Sequence, residues 1–282
     1  MTQAITPDLR RWIVAQVQAG QDADAVLQSM KTSGWDEDVA IEAMETTLRE
    51  HLQAQAHARQ LPPGVPVPEP SMGEAPLYLD AGDRRVTVLA AMTAPRIVVL
   101  GGLLTDAECD ALMDAARPRL SRSLTVATAT GGQEVNADRT SQGMFFERGE
   151  GELTARIEAR IARLLNWPVE NGEGLQVLRY APGAEYKPHH DYFAPQEPGT
   201  ATILKRGGQR VGTLVMYLND PVKGGGTIFP EVPLQVLPRR GNAVFFSYAS
   251  PDPGTRTLHG GAPVVEGEKW IATKWLRERE FK

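Results

Sequence analysis

Between Leu61 and Pro76 the chain reads LPPGVPVPEPSMGEAP, with six prolines and two glycines. Proline fixes φ and removes a backbone donor, so neither a helix interior nor a central strand passes through such a stretch. The chain must fold on either side of it, and the two sides carry different hydrophobic periods. Before it, apolar residues recur at helical spacing; after it, the pattern becomes largely strand-like. The sequence predicts a small three-helix module over 1–56, a Pro-rich linker over 57–82 and a main domain over 83–282.

In the first part, Thr6 followed by Pro7 is a cap and first-turn pair, and Leu9, Trp12, Ile13 and Val17 then recur at helical spacing. Gly20 ends that helix. A second starts near Asp22, carries Val26, Leu27 and Met30, and stops at Gly34. Asp36 caps a third, in which Ile41, Met44, Leu48 and Leu52 form one stripe. The pattern loosely resembles ubiquitin-associated-type three-helix modules. It fits equally a helical appendage that packs on the main domain or an interaction module.

After the linker, Arg96–Leu100 (RIVVL) predicts a strand, Thr105-Asp-Ala-Glu108 a capping box opening a helix, and Leu153–Leu165 an amphipathic helix. Thr125–Ser141 reads as a long polar loop. Strands are expected at Leu175–Tyr180, Val211–Asn219, Gly226–Phe229, Ala243–Tyr248 and Lys269–Leu276. Helices followed by a run of strands argue for an α+β domain with helices on one face of a β-sandwich or jelly roll.

Charge and cysteine usage exclude several classes. Thirty basic against 35 acidic residues leave a net charge of −5, so no general nucleic-acid surface is expected. Cys109 is the single cysteine, which rules out an intrachain disulfide and suits a reducing cytoplasm. Met1–Arg11 lacks the pattern of a signal peptide, and no apolar run approaches the roughly 20 residues of a membrane span. A cytoplasmic protein without a membrane partner is expected; oligomeric state is left open.

Three of the five histidines fall in the strand-rich half: His189, His190 and His259. In extended chain, residues two apart face the same way, so His189 and Asp191 can reach one metal while His190 points elsewhere. A third ligand from a distant strand would complete two imidazoles and one carboxylate, leaving three positions on an octahedral iron(II) for a bidentate oxoacid and dioxygen. His259 is the remaining histidine of that half. Taken alone, the H-x-D tripeptide fits a polar strand end as well as a metal site. Ten residues on, across Glu266-Gly267-Glu268, a hairpin returns Lys269 towards His259. Alternation places Lys269, Ile271, Thr273 and Trp275 on one face, with Trp270 and Lys274 on the other. An inward lysine is costly unless an anion meets it, and a metal-bound dicarboxylate would supply one. Tyr180 can donate to the same carboxylate. Lys269 alone would read as a surface lysine.

The segments LQVLRYAPGAEYKPHHDYF, GGQRVGTLVMYLND, GGGTIFPE, GNAVFF and HGGAPVVEGEKWIATKWL resemble the prolyl 4-hydroxylase family of iron(II)- and 2-oxoglutarate-dependent dioxygenases. The upstream RIVVLGGLLTDAECDALM and DRTSQGMFF resemble it too, so the likeness spans about residues 84–280. It implies a double-stranded β-helix core with His189, Asp191 and His259 as iron ligands. Lys269 would pair with the distal carboxylate of 2-oxoglutarate, Tyr180 would hydrogen-bond to it, and Arg210 and Trp275 would serve the peptide substrate. It further implies O2 as oxidant, L-ascorbate as reductant, a proline residue in a peptide or protein as substrate, and succinate and carbon dioxide as products. Gly226 stands where the family commonly has an acidic residue, and Ala262 where it often has cysteine. Both leave the ligand set intact. The alternatives are the same chemistry on a free amino acid or another side chain, a catalytically silent barrel that binds Pro-rich peptides, and a protein acting chiefly through its helical module.

Overall fold

The computed structural model describes residues 5–58, 64–73, 75–123, 125–126, 133–134 and 139–282. Two compact units divide at Pro63 and Gly64.

The first unit holds helices Pro7–Gln18, Ala23–Thr32 and Glu37–Ala58. Thr6 caps the first, its side chain accepting from the Leu9 amide at 3.2 Å. Asp22 caps the second through the Ala25 amide at 2.7 Å. The core differs from the expected stripes. Ile13, Val26, Met30, Ala40, Ala43 and Met44 are buried, whereas Trp12 and Ile41 stand more than a third exposed and Leu52 more than half. Ala40 and Ala43 bring the third helix close to its neighbours; of its expected stripe, Met44 and Leu48 still meet this core, while Ile41 and Leu52 are exposed.

The second unit is built on a nine-stranded antiparallel sheet. Its order is Tyr78–Asp80, Arg85–Met92, Ile97–Gly101, Ala243–Ser247, Arg210–Tyr217, Lys269–Arg277, Leu175–Tyr180, Gln142–Phe146 and Ser121–Arg122. Facing its central part is a four-stranded sheet, ordered Leu234–Val236, Thr227–Phe229, His259–Gly261 and Tyr186–His189. From Leu175 onward the chain passes back and forth between the two sheets, with one hairpin, Thr227–Phe229 to Leu234–Val236, inside the smaller, which is the double-stranded β-helix. Alternation sorts the side chains. On Arg210–Tyr217, Leu214 and Met216 join Leu112, Ile157 and Ile161 of helices Asp106–Ala116 and Gly151–Leu165 in one apolar cluster. Val215 and Tyr217 join Phe229, Phe246 and Ile271 in the cluster between the sheets. The expected capping box is present, with the Thr105 side chain on the Glu108 amide and the Glu108 carboxylate on the Thr105 amide.

The linker expectation needs correction over 64–82. The Val65 amide donates to Ala249, the Glu69 amide donates to Leu165, and Tyr78–Asp80 is an edge strand paired with Arg85–Met92. Pro68 is buried, and a Cβ on Gly212 would fall 2.6 Å from its Cγ. Prolines lacking donors still pack as apolar side chains, so a Pro-rich stretch lies on a sheet whose opposing residue is glycine. The expected loop Thr125–Ser141 lies largely outside the described residues. Among those described, no helix is long and apolar enough to cross a membrane.

Candidate active site

Tyr186–His189 pairs antiparallel with His259–Gly261, and His189 stands opposite His259 in that register. The two strands run close, and a Cβ on Gly260 would meet the Tyr186 carbonyl oxygen at 2.8 Å. His189 Nδ1 contacts the Lys187 carbonyl at 2.9 Å, and His259 Nδ1 contacts that of Thr257 at 3.0 Å. A carbonyl only accepts, so both Nδ1 atoms donate, and in the neutral form of each ring Nε2 presents its lone pair. Those lone pairs converge on Asp191: His189 Nε2 is 3.5 Å from Oδ1 and His259 Nε2 is 3.4 Å from Oδ2. One ligand atom from each of the three lies within 4.8 Å of the others. Burial pushes the His189 imidazole below its usual pKa, towards the neutral, metal-binding form. Burial alone would raise Asp191, but the attraction of the adjacent imidazoles in their protonated form outweighs it and holds the carboxyl well below its ordinary range. His190 is turned away and stacks on Tyr192, ring centroids 4.7 Å apart.

The same cavity, about 430 Å³ counted to its open mouth, contains Lys269 and Tyr180, which are cross-strand partners. It is also lined by Ile271, Thr273 and Trp275, the face that alternation predicted for this strand. Lys269 is 2% exposed. Its ammonium sits 5.4 Å from the centre of the Tyr180 ring and 6.0 Å from that of Tyr217. No carboxylate among the described residues pairs with it. Burial draws its pKa from 10.5 to about 8. A charge buried without a counter-ion is rare unless a ligand supplies one. Two imidazoles and a carboxylate beside this lone ammonium suit a metal and a dicarboxylate bound together.

Arg210 departs from expectation. It does not line the cavity. Its guanidinium grips the Glu173 carboxylate at 2.7 and 2.9 Å and lies 4.1 Å from the Trp275 ring centre, stiffening the cavity wall from behind. Strand-end placement and a buried acidic partner, distant in sequence, decide this. Several cavity residues were not singled out from the sequence. Thr227 accepts from the Tyr217 hydroxyl at 2.8 Å, Thr213 bonds Asp191, and Arg139 reaches Gln176 at 2.8 Å while lying over the Tyr186 ring. The signal for Thr213 was available: a hydroxyl sharing the inward face of its strand with Val215 and Tyr217.

The 2OG-Fe(II) oxygenase superfamily model matches residues 175–277. Prolyl 4-hydroxylase 1 of Arabidopsis thaliana is 44% identical over 203 residues, covering 66% of this chain and 70% of that protein. Prolyl 4-hydroxylase 5 of the same plant is 42% identical over 222 residues, covering 71% and 74%. Among solved structures, the viral collagen prolyl hydroxylase of Paramecium Bursaria Chlorella virus-1, in its 2OG complex, superposes with a TM-score of 0.50. It is 31% identical and covers 64% of this chain and 94% of that chain.

Proposed function

The chain belongs to the prolyl 4-hydroxylase family of 2-oxoglutarate- and iron(II)-dependent oxygenases, and from that premise we propose that it hydroxylates a proline residue in a peptide or protein. The observation that carries the reading is the meeting, in one cavity, of three convergent metal-ligand side chains and a buried ammonium with no anion of its own. His189, Asp191 and His259 would hold iron(II), with both imidazoles already in the Nε2-binding tautomer. The iron, with 2-oxoglutarate and O2, supplies the oxidising power that inserts an oxygen atom into a C–H bond and releases succinate and carbon dioxide.

The chain's own contribution is placement. Lys269 would anchor the distal carboxylate of 2-oxoglutarate, with the Tyr180 hydroxyl beside it on the neighbouring strand. Apolar Leu178, Val215 and Ile271 wall the cavity and keep water from the reacting centre. Trp275, braced by Arg210 and Glu173, offers a flat wall against which a pyrrolidine ring can rest. L-ascorbate is the reductant we assign for recovery of iron(II) after uncoupled turnover. A reducing cytoplasm is the setting we assign, on the strength of the single, buried cysteine, Cys109.

The test is a library of Pro-containing peptides incubated with the protein, iron(II), 2-oxoglutarate and ascorbate. Products are read by mass spectrometry and succinate is measured in parallel. Addition of one oxygen to proline, matched mole for mole by succinate, is expected. Succinate that no peptide stimulates, or oxygen added only to residues other than proline, would contradict the substrate assignment.

A further inference from the structure

Asp191 is gripped from outside the ligand set. Thr213 Oγ1 lies 2.7 Å from Asp191 Oδ2 and 2.9 Å from the Tyr248 hydroxyl oxygen. All three side chains are buried, Thr213 and Tyr248 almost completely. An ionised carboxylate only accepts hydrogen bonds, so the Thr213 proton goes to Asp191. The contact that remains between the two hydroxyls must then be donated by tyrosine. The bonds therefore run one way, from Tyr248 to Thr213 to Asp191. Neither donor can swing away: Thr213 belongs to the central strand Arg210–Tyr217, and the Tyr248 amide donates to Val211 of that strand at 3.1 Å. Asp191, by contrast, follows the end of the four-residue strand Tyr186–His189. The chain there is tied a second time, to the residue just before that strand, because the Gln209 side-chain amide both accepts from and donates to the Phe193 backbone, at 2.7 and 2.8 Å. A short strand end thus takes its orientation from the large sheet.

We propose that Thr213, backed by Tyr248, is a positioning residue that holds the Asp191 carboxylate in the orientation in which it faces the two imidazoles, and so sets the affinity of the site for its metal. Hydrogen-bond partners of metal-binding carboxylates fix their direction, and losing one typically weakens binding by roughly 10–100-fold. The inference rests on the ligand set proposed above and concerns how that set is held.

Cobalt(II), which binds such sites without redox chemistry, is the probe. It is titrated into the full-length protein without 2-oxoglutarate and followed by its visible absorption, alongside thermal unfolding of each metal-free variant. Thr213→Val keeps the shape and removes the hydroxyl, and it should weaken cobalt binding by roughly 10–100-fold and alter the spectrum. Thr213→Ser restores the hydroxyl and should return to near wild-type affinity. Tyr248→Phe removes the outer donor alone and should cost roughly 2–10-fold. Combined with Thr213→Val it should cost nothing more, because it acts through that residue. Should Thr213→Val fail to fold, Tyr248→Phe carries the same comparison. Wild-type affinity and an unchanged spectrum in Thr213→Val or, where that variant does not fold, in Tyr248→Phe overturn the proposal. So does a folded Thr213→Ser as weak as the valine variant, since packing of the methyl group would then be the cause. His259→Ala separates the two levels. Wild-type cobalt affinity in that variant overturns the ligand set itself, whereas its loss beside an unaffected Thr213→Val overturns only the positioning role.

Discussion

Lys269 and Lys274 leave the same strand on opposite faces, and each is 2% exposed. On the outer face, under helix Gly151–Leu165, the Lys274 ammonium meets the buried Glu158 carboxylate and the Glu173 carbonyl. Burial lowers its pKa, and Glu158 works against that by favouring the charged form. On the inner face Lys269 meets two aromatic rings and no anion, and burial draws it to about 8. One strand therefore carries a closed charge pair and an open one. Where a buried charge serves the fold, its partner comes from the chain. Where the partner is missing, the place is open to an anion from outside the chain. Trp270, Ala272 and Leu276 pack with the outer core, while Ile271, Thr273 and Trp275 line the cavity, so the division runs the length of the strand.

Breaking the closed pair should have the largest effect on stability. Lys274→Ala leaves Glu158 buried and alone, which should cost about 3–5 kcal/mol in denaturant unfolding and leave 2-oxoglutarate affinity unchanged in whatever fraction folds. The open site should respond in the opposite sense. Lys269→Met removes an unpaired buried charge, and the metal-free protein should gain about 1–3 kcal/mol. A loss of stability comparable with that of Lys274→Ala would mean that Lys269 has a structural partner.

Titration sharpens the contrast. The folded pKa of Lys269, about 8, lies below the 10.5 of the free side chain. Between those values the unfolded chain holds more protons than the folded one, so stability from this group rises with pH across the window. Binding of 2-oxoglutarate has the reverse sign, because it needs the ammonium. Affinity should be flat below pH of about 8 and weaken by about tenfold per unit above it in calorimetric titrations, until the pKa of the bound state is reached. An affinity indifferent to pH between 7 and 9.5, on the order of the window just given, would detach Lys269 from the ligand.

The smallest effect concerns the helical unit. A chain beginning at Gly64 should match the whole protein in cosubstrate affinity and in turnover of a short peptide, because every cavity residue lies after that point. A chain beginning at Ala81 should be less stable, since it lacks the Tyr78–Asp80 strand and the contact of Pro68 with Gly212. Equal unfolding midpoints for the two would remove that contact from the fold's supports.

Much of the inner face was readable from residue order. Period-2 alternation from Lys269 gave the cavity face of its strand, and the same rule put His189 and Asp191 on one side, because both depend on neighbours in sequence. What stayed hidden depends on residues far apart. Tyr186–His189 and His259–Gly261 are short, and the second carries two glycines. Neither has an apolar pattern of its own, so their pairing, which sets His189 opposite His259, was not legible. Arg210 was expected at the substrate, but Glu173, 37 residues away, claims its guanidinium. In the helical unit the stripe of the third helix holds in its middle and fails at its ends: Met44 and Leu48 meet the core beside Ala40 and Ala43, whereas Ile41 and Leu52 are exposed. The Pro-rich segment packs over 64–82 although its composition predicts a linker, since lack of backbone donors does not prevent side-chain packing.

The most direct test is an anaerobic titration of 2-oxoglutarate into the iron(II) forms of the wild type, Lys269→Ala and Lys269→Arg. Removing one partner of a buried pair costs about 3–5 kcal/mol, so the alanine variant should bind roughly 100-fold or more weakly. Arginine should recover part of that loss, since its charge survives on a larger, planar head. Iron(II) affinity measured without 2-oxoglutarate should stay the same in all three. Equal 2-oxoglutarate affinities across the three proteins would show that the lone buried ammonium is not the cosubstrate anchor and would contradict the reading of this cavity.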